Sequence, residues 1–171
     1  FFFKQKTAYE ISTRDWSSDV CSSDLAGSVA AELATAGVDQ VISVDSAIYA
    51  NYLAEAYAPA VAEIAKKVGA TIVAAPSSTT GKDFLPRAAA RLDAGMISDA
   101  IEVFAHNGAL AYKRPVWAGN LIARETSTSA ITAVSVRTTN FDAPAAGAAA
   151  PIERSEEHTS ELQSRVDISY A

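Results

Sequence analysis

Gly81-Lys82 follows a short apolar run and the hydroxyl cluster Ser77-Ser78-Thr79-Thr80, a setting that invites phosphate binding. A phosphate loop needs a glycine five residues before the second glycine and a Ser or Thr after the lysine. Those positions hold Pro76 and Asp83, and an Asp carboxylate would repel phosphate. A helix start, with glycine for close packing and a hydroxyl cap, is the better reading. Weak anion or nucleotide binding at that helix start stays open. His106 sits beside Asn107-Gly108, a turn sequence, and no second histidine nearby could share a metal. Ser77 and Ser78 lack a G-x-S-x-G setting, so nucleophilic hydrolysis has no visible machinery. Asp45 follows a β-branched run, where α/β folds place ligands, and could equally cap the next helix. No residue is expected to be catalytic, to bind a cofactor or to ligate a metal. Arg87, Arg91 and Trp117 are left as candidates for partner or interdomain contact: two cations on one helix face, and an aromatic whose other reading is plain packing.

These residues need elements to carry them. Thr71–Ala75 is a short apolar, partly β-branched strand of the kind covered on both faces, and Pro76 stops it. Phe84, Ala88 and Leu92 recur every four residues, which predicts a helix over 82–94 with Gly95 ending it. Arg87 and Arg91 share another face, with Asp83 four residues before Arg87. Upstream, Ala26–Ala36 is helix-like with Gly37 as its cap, and Val41–Val44 is strand-like. Ile48–Val68 is a long helical pattern that Pro59 interrupts, predicting two helices or a helix that starts near Pro59. The alternation argues for a mostly parallel sheet with helices on its faces. Downstream, Asn107-Gly108 between two short runs predicts a hairpin. Val116–Ala123 and Ala130–Arg137 are further strands, so antiparallel additions end the sheet. Residues 143–153, rich in Pro, Gly and Ala, read as an interdomain linker.

The stretch Gly81-Lys82-Asp83-Phe84-Leu85-Pro86-Arg87, with Ala89-Ala90-Arg91-Leu92 and Ile97-Ser98-Asp99, resembles the N-terminal domain of the electron transfer flavoprotein alpha subunit. Trp117-Ala118-Gly119-Asn120 and Val134-Ser135-Val136-Arg137-Thr138-Thr139-Asn140-Phe141-Asp142-Ala143 extend the likeness in order and spacing. The resemblance implies a three-layer α/β/α fold of the adenine-nucleotide-hydrolase type, incomplete at its N-terminus. The family's opening strand, helix and second strand have no counterpart here, so the isolated chain is expected to expose apolar edges and fold poorly. The resemblance also implies that FAD is held by a second domain, with none bound by these residues. Implied partners are a beta subunit and flavoprotein dehydrogenases such as acyl-CoA dehydrogenases. The implied parent passes their electrons to the respiratory chain from the bacterial cytoplasm or the mitochondrial matrix. A free-standing adenine-nucleotide-binding α/β module is the competing reading.

The two ends read differently. One possible coding strand for Arg154–Ser164, reverse-complemented and read one base in, encodes Asp15–Leu25. Unrelated protein segments have no reason to share one DNA element in opposite senses. Residues 1–25 and 154–171 therefore look like translated sequencing-adapter DNA with no native fold, leaving 26–142 as a partial domain and 143–153 as its linker. Between them, Ala26–Glu153 carries nine basic and twelve acidic residues, net −3, against −6 for the whole chain. No basic stripe points to nucleic acid. The single cysteine, Cys21, lies in the excluded end, so no disulfide or thiol chemistry is expected. No apolar run reaches the ~18 residues a membrane span needs.

Overall fold

The computed structural model describes residues 23–44, 46–49, 51–142 and 147–155. Three parallel strands form its centre: β2 (Ile72–Pro76), β7 (Thr132–Val136) and β3 (Gly95–Ala100), in the order β2-β7-β3. Burial alternates along β2, as period-2 side chains require. Val73 and Ala75 point to α2 (Ala54–Lys67) and α3 (Thr79–Leu92), joining Ala58, Ala62, Ala65, Phe84, Leu85 and Ala88 in one core. Ile72 and Ala74 point the other way, to a second cluster of Ile97, Ala100, Tyr112 and Val134.

That opposite face is covered by strands. β4 (Glu102–His106), β5 (Ala109–Val116) and β6 (Leu121–Thr126) form an antiparallel sheet in the order β4-β5-β6. Antiparallel strands are present as a separate sheet laid over the parallel one, but not where expected: 116–123 spans the end of β5, a turn and the start of β6, and Ala130–Arg137 holds β7, a parallel strand between β2 and β3. β3 runs into β4 with Ile101 between them, and the Ile101 amide donates to Lys113 O at 2.8 Å. Asn107 and Gly108 adopt φ of 49° and 78°, and His106 pairs with Ala109. That is the predicted Asn-Gly hairpin, in the primed turn that matches strand twist.

Several boundaries differ from expectation for definable reasons. α2 starts at Ala54, not near Pro59, which lies inside the helix. Its alanines pack so closely against α3 that burial outweighs one lost backbone hydrogen bond. A 3-10 turn at Ala47–Tyr49 is the separate upstream piece. α3 ends on Asp93 in the left-handed region (φ 51°, ψ 38°), while Gly95 opens β3. Asp tolerates that conformation. Gly95 sits in a close contact instead: a Cβ there would lie 2.4 Å from Ser127 Oγ, so that hydroxyl would have to turn away.

α1 (Ser23–Ala34) packs on β1 (Val41–Val44), which pairs in parallel with β8 (Ile152–Ser155). The stretch expected as a linker is docked over its described part. Gly147 and Ala150 donate to Thr35 O and Ala34 O at the end of α1, and Val41 donates to Pro151 O. α1 and β8 each run across an expected join, so Ser23–Leu25 and Arg154–Ser155 have regular backbone. Asp45 and most of both ends lie outside the described residues.

Candidate functional site

The C-terminal ends of β2, β7 and β3 meet the start of α3, the edge where open α/β sheets place ligands. Ser78 caps α3, its hydroxyl accepting from the Gly81 amide at 3.1 Å. The predicted hydroxyl cap is therefore real and already occupied. A Cβ on Gly81 would fall 2.0 Å from the Pro76 carbonyl oxygen, so the glycine serves the close approach of helix and strand. Lys82 and Asp83 are exposed.

Beside this helix start lies a polar knot built around Asp99. β3 slips register between Ile97 and Ala100, and Asp99 takes φ +60°. Its amide, turned out of the ladder, donates to the Ser135 hydroxyl at 2.8 Å. Ser135 is fully buried and lies 3.3 Å from Ser77 Oγ. The Asp99 carboxylate pairs with both Nε and Nη2 of Arg137. The Arg137 guanidinium holds the Asp99 carboxyl below the usual carboxylate range, with Ser77 and Lys82 adding to the effect against partial burial. A carboxylate so neutralised is a poor general base. Ser135 is occupied by a backbone amide, and His106 is a hairpin-turn residue bonded to Asn107. Among the described residues no nucleophile meets a base, and no group of His, Cys, Asp and Glu could hold a metal.

Arg87 is spoken for within the chain. It pairs with Glu55 of α2 at 2.7 Å and with Asp83 at 3.8 Å, clamping α3 to α2 across an exposed seam. Arg91 is exposed on the same helix. A second clamp was not foreseen: Tyr52 donates to Asp83 Oδ2 at 3.0 Å and meets Tyr57 edge-on. Burial, then Asp83, pushes the Tyr52 phenol up to about 12.

Trp117 does not pack. It stands 80% exposed in the loop joining β5 and β6, so the plain core reading fails. Trp117 and Ala118 have φ of 53° and 55°, followed by Gly119 at 89°. Two consecutive non-glycine residues in the left-handed region are costly, and such strain concentrates where a side chain must be presented. Leu121 and Ile122 beside it are 56% and 52% exposed. The three are exposed apolar residues at one end of the antiparallel sheet, Leu121 and Ile122 alternating between its faces.

Residues 20–160 match the electron transfer flavoprotein domain family. The chain belongs to that family. The electron transfer flavoprotein subunit alpha of Pseudomonas aeruginosa is 45% identical over 119 residues, covering 69% of this chain and 37% of that protein. The Paracoccus denitrificans subunit alpha is 34% identical over 134 residues, covering 78% and 42%. A subunit alpha from Dictyostelium discoideum, named as mitochondrial, is 38% identical over 122 residues, covering 68% and 34%. The chain thus spans well under half the length of these relatives, and its likeness is to a fragment of the alpha subunit. The free-standing nucleotide module is not favoured by these matches. Among the described residues no helix is long and apolar enough to cross a membrane.

Proposed function

We propose that this chain works as the scaffold part of an electron transfer flavoprotein alpha subunit. FAD is held by sequence beyond the matched region, and this domain supplies packing and subunit contact. The observation that carries the reading is the Trp117 loop: a strained, exposed aromatic with Leu121 and Ile122 beside it, on a sheet whose own core is already filled. Its partner is a beta subunit or the flavin-bearing domain. Among the described residues Arg91, unlike Arg87, makes no ion pair, and it is the cation better placed for a contact. The assembled protein carries electrons from flavoprotein dehydrogenases, including acyl-CoA dehydrogenases, toward the respiratory chain. It does so in the bacterial cytoplasm, or in the mitochondrial matrix in a eukaryote.

The test is a chimera in which residues 26–142 replace the matched segment of the Pseudomonas aeruginosa subunit alpha. It is co-expressed with that organism's beta subunit. Co-purification with bound FAD is the expected outcome. Trp117→Ser in the chimera should reduce pairing with the beta subunit, or loosen the flavin, by about tenfold. A chimera that folds yet neither pairs nor holds FAD overturns the proposal. So does one that Trp117→Ser leaves unchanged in both.

A further inference from the structure

His106, Asn107 and Gly108 turn β4 into β5, and all three are exposed. The chain has four asparagines, and only Asn107 is followed by glycine; Asn51, Asn120 and Asn140 precede Tyr52, Leu121 and Phe141. The following residue decides whether the backbone can attack an asparagine side chain. The attacking atom is that residue's amide nitrogen, and a Cβ beside it crowds the approach to the carboxamide carbon. Gly108 has no Cβ, and nothing lies within 4 Å of where one would be. In a two-residue hairpin loop the ladder closes on the flanking pair, here His106 with Ala109, so the Gly108 amide stands outside it.

The side chains differ as well. Asn120 Nδ2 donates to Trp117 O at 3.0 Å, and Asn140 Oδ1 accepts from the Thr139 hydroxyl at 3.4 Å. Asn107 Nδ2 instead lies 3.3 Å from His106 Nε2. That imidazole is set edge-on to Phe104, two residues back on the same face of β4, with ring centroids 6.5 Å apart. An imidazole within reach of a leaving nitrogen can hand it the proton it needs to depart.

We propose that Asn107 is a self-modifying site: Gly108 N attacks Asn107 Cγ, and the cyclic imide so formed opens to aspartate or to its β-linked isomer. The new N–C bond forms as the Cγ–Nδ2 bond breaks. The Gly108 amide proton passes to water, the His106 imidazole protonates the leaving nitrogen, and ammonia departs. The imidazole recovers its proton from solvent. Water then adds to either imide carbonyl and frees a carboxylate, with nothing oxidised or reduced. Ring closure turns the Asn107–Gly108 peptide out of the primed geometry, and the end of a hairpin is where such opening costs least. Both products lay a negative charge beside His106. The β-linked one also lengthens the backbone of a two-residue turn, which should unhook the His106–Ala109 end of the hairpin.

The test is to age the 171-residue chain at neutral pH, in native buffer and in urea, and to follow each asparagine by peptide mass spectrometry. An isoaspartate-specific methyltransferase labels the β-linked product. In native buffer Asn107 should lose ammonia about tenfold or more faster than Asn51, Asn120 and Asn140. His106→Ala should slow the native rate by about tenfold and the urea rate by less, because Phe104 no longer holds the ring there. Gly108→Ala should slow both rates by about tenfold, since its Cβ hinders attack in either state. The same comparison in the full-length chimera covers a chain that does not fold alone. The proposal is overturned if Asn107 is no faster than the other three, if the methyltransferase labels nothing at Asn107, or if His106→Ala changes the native and urea rates equally.

Discussion

Gly81→Ala sets two known effects against each other at one atom. Gly81 lies in the first turn of α3, where alanine is the better helix former by about 1 kcal/mol. On propensity alone the variant would be stabilised. The added Cβ, however, would sit 2.0 Å from Pro76 O and 3.2 Å from Pro76 C. Those are backbone atoms of the last residue of β2, which has a rigid ring and a following amide bonded to β7. Relief needs a shift of more than 1 Å, on the scale of ordinary C···O contacts. It must come from α3, whose Phe84 and Leu85 are fixed in the core. Overpacking of this kind costs about 1–3 kcal/mol or more, and the propensity gain offsets only part of it. The expected outcome is net destabilisation, read as a drop of about 1 M in the urea midpoint by far-UV circular dichroism, with unchanged slope. Soluble yield is a second readout. Gly108→Ala is the contrast: nothing lies within 4 Å of its Cβ, so only its φ of 78° resists the change. A Gly81→Ala chain with a midpoint equal to or above the parent's would refute the close-approach argument.

Ser135→Ala leaves the Asp99 amide without its acceptor inside the fold, and should cost about 1–3 kcal/mol in chemical denaturation. Asp99 has a carboxyl depressed by Arg137, so its contribution is present above the unfolded value near 3.8 and is lost as pH falls through the lower folded value. Asp99→Asn should therefore flatten the acid limb of a stability–pH profile; an acid limb with parental slope counts against the ion pair. Tyr52 behaves in the opposite sense. Its folded value, raised from 10.0 to about 12, gives stability that is full below pH 10 and fades above it, so Tyr52→Phe should make the alkaline limb shallower, with Tyr112, whose phenol burial also raises, keeping part of it.

How much of this was readable from residues depends on range. Local chemistry was legible. Asn107-Gly108 gave its turn because few sequences accept two positive φ values in a row. The Phe84, Ala88 and Leu92 repeat placed the buried face of α3, and Ser78 capped it. Pro59 misled because a propensity argument cannot see the alanine-lined contact between α2 and α3 that overrides it. Gly95 misled because its close contact is with Ser127, thirty-odd residues away. The Asp99 knot was not found at all. Its members Ser77, Asp99, Ser135 and Arg137 lie on three different strand ends, and no spacing rule connects them before the β2-β7-β3 order is known. Neither Ser135 nor Asp99 looks reactive or structural in isolation.

The knot also occupies the groups that a ligand at this edge would use. Ligand sites at the strand ends of α/β sheets work because amides and charges there are left without internal partners. In this chain the corresponding groups satisfy one another. The Gly81 amide is taken by Ser78, the Asp99 amide by Ser135, and the Asp99 carboxylate by Arg137. A ligand would have to displace three internal hydrogen bonds, one of them to a fully buried hydroxyl. The same knot fixes the point where β3 leaves the parallel sheet and enters the antiparallel one that ends in Trp117. Rigidity at the strand ends thus serves the presentation of the distant Trp117. That division suits the scaffold role proposed for this chain.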